Sequence, residues 1–185
     1  MLPVSERVID DRRRLGIHKL DERWAGVWHL VNPPKLWHGR LNSQMFLALA
    51  PVAEARGLTP YCDATGLFAT PDDWRVPDQT YARADAATEA GLTAAELVVE
   101  LRSPDDDTYG KLPFYARRAR EVLVVHRDRR VELHRAVGAG GIGRVPAGEG
   151  GGLASEALGV AFATVVTDDG PRLRIAGPEG VIAEV

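Results

Sequence analysis

The chain has 185 residues, of which 45% are hydrophobic, so it can bury one sizeable core. A formal net charge of −3 excludes a protein that binds nucleic acid over its whole surface, so any such contact needs a local basic patch. One cysteine, Cys62, excludes an intramolecular disulfide and a cysteine-rich zinc site. The first residues lack an apolar signal core, and no run is apolar enough to span a membrane. We therefore expect a cytoplasmic protein with no membrane partner.

The N-terminal third predicts two helices separated by a strand. Residues 5–14 predict a short, highly charged helix. Residues 26–31 predict a strand that ends at a pair of prolines. Residues 37–56 predict the clearest helix, because their apolar residues recur at helical spacing, although Pro51 should kink it or end it early.

The middle of the chain predicts strands around one further helix. The run at 97–101 is continuously apolar, which is typical of a central strand covered on both faces. This order of elements predicts an α/β fold with a mixed sheet flanked by helices. The other predicted elements are short strands at 59–62, 66–69 and 76–82, a helix at 107–120, and a hairpin formed by 121–125 and 131–135.

Residues 138–152 form a glycine-rich stretch that predicts a mobile loop. Gly138, Gly140 and Gly143 match the G-x-G-x-x-G spacing of dinucleotide-binding loops. No helix-forming residues follow them, so we expect no nucleotide to bind there. Beyond the stretch, residues 158–166 and 171–176 predict a terminal hairpin.

A glutamate inside the apolar run indicates where chemistry could lie. Glu100 needs a partner, because a buried carboxylate is costly unless it is paired or bound to a metal. Asp78 stands at the start of a neighbouring candidate strand, and Lys111 begins the following helix. Two carboxylates at adjacent strand ends can hold Mg2+ or Mn2+. Such a cation can activate water against a phosphodiester while the lysine stabilises the developing charge.

Each of these residues also has a structural interpretation. Asp78 could be a turn residue, and Glu100 could form an ion pair with Arg102 or Lys111 that only stabilises the fold. The acidic residues 105–107 are expected to cap and begin the helix, where carboxylates suit the helix dipole.

Several motifs, taken in order, resemble the Uma2 family, which is described as restriction endonucleases of the PD-(D/E)XK nuclease superfamily. The resemblance covers roughly residues 13–137 and lies in the order and spacing of the motifs. They are Trp24-Ala25-Gly26-Val27, a proline pair, His38-Gly39-Arg40, Pro77-Asp78, Glu100 within an apolar strand, Ser103-Pro104, and Asp107, Lys111 and Tyr115.

The resemblance implies a site and a function. It makes Asp78 and Glu100 metal ligands and Lys111 the superfamily lysine displaced onto a helix, with His38 at the border of the same cleft. It implies a Mg2+-dependent endonuclease that acts on DNA, and a homodimer would suit double-strand cutting. We also consider a function of a different class, namely a non-catalytic nucleic-acid or protein-binding module that retains the nuclease fold.

The chain departs from the family pattern at three positions. Ala25 and Val27 replace residues that are often acidic, and the position of the usual lysine after the glutamate holds Arg102. Arginine stays protonated and cannot act as a general base, so we expect Arg102 to contact substrate while Lys111 serves the chemical step.

The chain organisation follows from the same comparison. We expect residues 1–137 to form a restriction-endonuclease-like domain, followed by the glycine-rich loop at 138–152. Residues 153–185 would be a C-terminal β-hairpin extension of that domain.

Overall fold

Three sheets and three α-helices make up the chain as the computed structural model describes it, namely for residues 4–62, 65–103, 107–138 and 140–185. The first half contains α1 (Glu6–Arg14), β1 (Glu22–Trp24), β2 (Val27–His29), α2 (Leu36–Ala55), β3 (Thr59–Cys62), β4 (Leu67–Thr70), β5 (Asp73–Arg75) and β6 (Gln79–Ala82). The second half contains β7 (Ala95–Arg102), α3 (Thr108–Tyr115), β8 (Ala119–His126), β9 (Val131–Val137), β10 (Gly141–Arg144), β11 (Leu153–Ser155), β12 (Val160–Thr167), β13 (Gly170–Gly177) and β14 (Gly180–Glu184).

The central sheet has the strand order β10-β9-β8-β7-β6-β3. Strands β7 and β8 are parallel because α3 carries the chain back between them, and their neighbours are antiparallel. Side chains alternate across β7, so Leu97, Val99 and Leu101 pack with α2 while Val98 packs with α3. The sheet is thus covered on both faces, which explains why β7 is apolar almost throughout.

Two smaller sheets flank this one. Strands β2-β1-β5-β4 form a small sheet whose strands lie on both sides of β3 in the chain, and β11-β12-β13-β14 form a C-terminal meander. The meander packs Phe162 and Leu173 into the same buried cluster as Leu49 of α2 and Leu133 of β9. The predicted mixed α/β fold with a C-terminal β extension is confirmed.

Two helices differ from their predicted bounds. Helix α2 continues through Pro51 to Ala55, so the expected early end is wrong, and Gly57 follows with a positive φ of 71°. Helix α3 ends at Tyr115 and not at residue 120, because Ala119 already pairs with Ala95 in the central sheet. None of the helices in the described ranges is long and apolar enough to cross a membrane.

The predicted strand at 76–82 begins only at Gln79. Its first residues are held by side chains instead of a β-ladder: Glu22 accepts a hydrogen bond from the backbone N–H of Val76, at 2.9 Å. Strands β1 and β5 were not predicted.

The glycine-rich stretch is partly ordered into a strand. Gly141–Arg144 forms β10 and pairs with β9, so the prediction of a loop throughout is wrong for these four residues. Backbone hydrogen bonds to a long neighbouring strand compensate for the missing side chains. Ala139 lies outside the described residues.

The C-terminal extension also exceeds its prediction. The predicted hairpin corresponds to β12 and β13, and β11 and β14 extend it to four strands. Of the predicted helix cap, residues 105 and 106 lie outside the described residues. Asp107 occupies the N-cap position without a side-chain capping hydrogen bond.

Candidate functional site

Five side chains from five segments meet near the carboxyl end of β7. They come from β1, the first turn of α2, the residue before β6, β7 itself and α3, and are Glu22, His38, Asp78, Glu100 and Lys111. We call these residues the acidic cluster.

Glu100 lies at the centre of the acidic cluster and is 2% exposed. Its carboxylate accepts a hydrogen bond from the Tyr115 hydroxyl, and both carboxylate oxygens lie 3.3 Å from Lys111 Nζ. Burial, together with the charges of Asp78 and Glu22, raises the pKa of Glu100 to about 8 against the opposing effect of Lys111. The carboxyl group therefore lies where additional positive charge would stabilise its ionised form.

Lys111 joins Glu100 to a second buried carboxylate, that of Glu22. Lys111 Nζ lies 2.9 Å from Glu22 Oε1, and the Lys111 side chain is 12% exposed. Glu22 also accepts hydrogen bonds from Trp24 Nε1 at 2.7 Å and from the backbone N–H of Val76 at 2.9 Å. The ammonium group is thus held between two buried carboxylates.

Sequence reasoning did not single out Glu22. It lies within the range of the Uma2 resemblance, two residues before the Trp24-Ala25-Gly26-Val27 motif. Its strand is three residues long and has no periodicity of its own. An acidic residue inside the matched segment was the only local signal.

Asp78 is held beside the end of β7 by its backbone. Strands β6 and β7 are antiparallel with Gln79 opposite Val99, which brings residue 78 alongside residue 100. Asp78 Oδ2 accepts a hydrogen bond from the backbone N–H of Leu101 at 2.7 Å, and Asp78 Oδ1 lies 3.2 Å from His38 Nε2.

A buried amide network fixes the first turns of α2 against β6. Gln79 Nε2 donates hydrogen bonds to Asn42 Oδ1 at 2.7 Å and to the Asn42 carbonyl at 2.9 Å. Tyr81 donates its hydroxyl proton to Gln79 Oε1 at 2.5 Å. Because Asn42 lies one turn beyond His38, this network sets the position of His38 relative to Asp78.

Arg102 lies on the same face of β7 as Glu100, as the alternation of side chains predicts. Its guanidinium group lies 5.0 Å from the ring centroid of Tyr109 on α3. It lines a surface cavity of about 410 Å³ together with His126, Arg127, Asp128 and Arg130. Arg102 is therefore adjacent to the acidic cluster and not part of it.

His29 packs in the small sheet. Its ring stacks on Trp24 with a centroid distance of 3.9 Å, and burial lowers its pKa.

The donor set of the acidic cluster suits a hard divalent cation. Asp78, Glu100 and Glu22 supply carboxylate oxygens, which Mg2+ and Mn2+ prefer. As the side chains of the described residues stand, no three acidic, histidine or cysteine side chains form a group that could hold a metal ion. Lys111 supplies the positive charge between Glu22 and Glu100.

Comparison with known proteins gives a family for this arrangement. The Uma2 family model, described as putative restriction endonuclease, matches residues 18–166, beyond the range of the motifs themselves. The chain belongs to the Uma2 family. No curated protein sequence matches it.

A solved structure supports the fold. It is a putative nuclease belonging to DUF820 from Anabaena variabilis ATCC 29413, with a TM-score of 0.55 and 15% sequence identity. The alignment covers 69% of this chain and 78% of that chain. The similarity places this chain in a nuclease-type fold.

The structure thus brings together His38, Asp78, Glu100 and Lys111, and adds Glu22. The roles of these residues as metal ligands or catalytic groups stay predictions.

Proposed function

We propose that this chain is a divalent-metal-dependent nuclease that hydrolyses phosphodiester bonds of DNA at the acidic cluster. The observation that carries the proposal is the meeting of Lys111 with the buried Glu100, beside Asp78. Membership of the Uma2 family and the similarity of the fold to a DUF820 protein support it. Strained or perturbed ionisable groups of this kind cluster at functional sites.

Asp78 and Glu100 would hold Mg2+ or Mn2+. When bound, such a cation polarises the phosphodiester and lowers the pKa of an attacking water. Lys111 would donate a hydrogen bond to the phosphate oxygen on which charge develops. Glu22 positions the Lys111 ammonium group, and His38 orients the Asp78 carboxylate through their 3.2 Å contact.

The test is cleavage of plasmid and single-stranded DNA with Mg2+ or Mn2+. We expect Lys111→Ala to lower the cleavage rate by about 100-fold or more, since a donor aimed at developing charge has an effect of that size. Lys19→Ala removes an exposed lysine that is not part of the acidic cluster and should retain full activity. Asp78→Ala serves as the inactive blank.

Two outcomes would change the proposal. If the unmutated protein cleaves no DNA substrate with either metal, the non-catalytic binding module becomes the better description. If Lys111→Ala cleaves at the normal rate, Lys111 has only a structural role.

Arg102 is proposed to contact substrate outside the chemical step. We expect Arg102→Ala to raise KM more than it lowers kcat, because the guanidinium lies against Tyr109 and not within the acidic cluster. An Arg102 variant without activity beside a fully active Lys111 variant would reverse the two assignments.

A homodimer is part of the same proposal, since two symmetric sites can cut both strands of a duplex. Light scattering of the purified protein measures the mass directly. A mass of one chain at all concentrations would leave strand-by-strand cleavage as the mechanism.

A further inference from the structure

A group of arginines comes from α2, from the turn between β8 and β9, and from the C-terminal sheet. They are Arg40 of α2, Arg127 and Arg129 of the turn between β8 and β9, and Arg172 of β13. We call these four residues the arginine surface. Burial lowers the pKa of Arg129, and the positive charges of Arg172 and Arg40 lower it further.

The turn that carries Arg129 is fixed to the C-terminal sheet. Arg129 has a φ of 68°, a conformation that non-glycine residues rarely adopt. Its carbonyl accepts a hydrogen bond from Thr164 Oγ1 at 2.9 Å, and its Nε donates to the Val185 carbonyl at 3.3 Å. Arg172 pairs in the sheet with Val165, the neighbour of Thr164. The surrounding structure therefore holds Arg129 and Arg172 on one surface.

Among the residues that the structure describes, no aspartate or glutamate side chain forms an ion pair with any arginine of the arginine surface. Arg174, two residues along β13 from Arg172, does pair with Glu184 at 2.7 Å. In a chain with a net charge of −3, a local group of uncompensated cations favours an anionic ligand.

The arginine surface is continuous with the acidic cluster. The Arg127 guanidinium lies 5.7 Å from the ring centroid of Trp37. Trp37 immediately precedes His38, which contacts Asp78. On the other side, Arg127 lines the same cavity as Arg102, two residues beyond Glu100. An extended anion can therefore contact both regions at once.

We propose that the arginine surface binds successive backbone phosphates of the nucleic-acid strand whose reactive phosphate lies at the acidic cluster. The inference rests on the proposed nuclease function, because it takes the substrate of that site as the ligand. Arginine suits phosphate because its planar guanidinium can donate two hydrogen bonds to one group. Arg172 belongs to the C-terminal sheet and lies beyond residues 18–166, the part of the chain that the family model matches. The arginine surface therefore includes a residue outside the matched part.

The experiment measures DNA binding without cleavage. The full chain, in EDTA, is titrated against labelled 20-nucleotide single strands and 20-base-pair duplexes by fluorescence anisotropy at several salt concentrations. We expect a variant carrying Arg40→Ala, Arg127→Ala and Arg172→Ala to bind at least 10-fold more weakly than the unmutated protein. For this variant, the slope of log binding constant against log salt concentration should be shallower than for the unmutated protein. The expected difference is about 0.9 per lost phosphate contact for duplex DNA and about 0.7 for single strands.

Arg174→Ala is the matched control, because it removes an arginine from the same strand that is already paired with Glu184. It should bind DNA normally. Each variant is also checked by circular dichroism, and Arg172→Ala alone tests the surface if the triple variant does not fold. Poly-glutamate serves as a competitor with charge but without phosphate.

The proposal is overturned if the triple variant keeps the affinity and salt slope, if Arg174→Ala loses as much affinity, or if poly-glutamate competes as well as DNA. Absence of DNA binding by the unmutated protein also overturns it. Arginine-dependent binding by a protein that never cleaves DNA supports the surface and removes only the nuclease proposal. If the unmutated protein cleaves DNA and the triple variant binds DNA as tightly as the unmutated protein, the nuclease proposal stands and the arginine surface is rejected.

Discussion

Lys111 compensates two buried carboxylates and therefore affects stability as well as chemistry. Replacing it leaves Glu22 and Glu100 buried without the opposite charge, and breaking a buried ion pair in this way costs about 3–5 kcal/mol. We expect Lys111→Met to lower the free energy of unfolding in EDTA by an amount in this range, measured by urea denaturation. Added Mg2+ should restore part of the loss, and Lys19→Met should change little. Equal stability of the Lys111 variant and the unmutated protein would contradict this view.

The raised pKa of Glu100 makes the stability of the metal-free protein depend on pH. Its pKa lies at about 8, above the ordinary value of 4.5, so the folded state holds this proton more tightly than the unfolded state. The resulting stabilisation is complete below about pH 4.5 and is lost as the pH rises to about 8.

We therefore expect the unmutated protein in EDTA to lose more stability between pH 5 and pH 8 than Glu100→Gln, which cannot ionise. Thermal unfolding across this range measures the difference. Glu96→Gln, on the same strand and paired with Arg83 at the surface, should follow the unmutated profile. Parallel profiles for the unmutated protein and Glu100→Gln would show that Glu100 keeps an ordinary pKa.

At the scale of elements, a second buried carboxylate joins the C-terminal sheet to the central sheet. Glu121 of β8 is fully buried and accepts a hydrogen bond from Ser155 Oγ at 2.6 Å. It also accepts bonds from the backbone N–H groups of Glu156 and Ala157 and from Arg135. One carboxylate thus satisfies donors from two sheets, which makes it a specific attachment point.

We expect Glu121→Ala to destabilise the protein by about 3–5 kcal/mol, because it breaks the buried ion pair with Arg135 and leaves the donors of Ser155, Glu156 and Ala157 without their acceptor. Hydrogen exchange should show the loss of protection first at β11 and β12, next to the broken contacts. Glu179→Ala, an exposed acidic residue between β13 and β14, is the control. Loss of protection spread evenly over the chain would mean that Glu121 does not act locally.

Elements with strong local patterns were predictable from the sequence. The apolar run of β7 identified both the central strand and its unusual Glu100, Asp78 and Lys111 were singled out by their positions in the neighbouring predicted elements, and the family motifs supported all three. Glu22 was not predictable, because it reaches the site through a long-range pairing in which Arg23 lies opposite Trp74. Strand β10 was missed because its glycines carry no side-chain pattern, and only its pairing with β9 makes it a strand.

At the scale of the molecule, the central sheet and the C-terminal sheet share one core. Leu41 and Leu49 of α2, Val99 of β7, and Phe162 and Leu173 of the C-terminal sheet belong to a single buried cluster. The extension therefore buries apolar surface that the rest of the chain also needs, and its buried hydrophobic residues belong to this shared cluster, whereas a second cluster around Val98 and Phe114 lies outside the extension.

A shared core predicts one cooperative unfolding transition. All four tryptophans lie at or before residue 74, so their fluorescence reports on the first half, while far-UV circular dichroism reports on every strand. We expect the two signals to follow the same urea curve. Melting of the dichroism signal before the fluorescence signal would show that the C-terminal sheet unfolds by itself.

Because Lys111 lies between Glu22 and Glu100, we expect the chain to fold without a bound metal. In domains that fold around a metal, ligand charges have no other partner and chelation unfolds the chain. Here the chain carries its own counter-ion for the two carboxylates, so its architecture can be complete before any metal arrives. Metal binding would then be reversible in the folded protein. The fraction of protein with bound metal would follow the free divalent-ion concentration without unfolding and refolding of the chain.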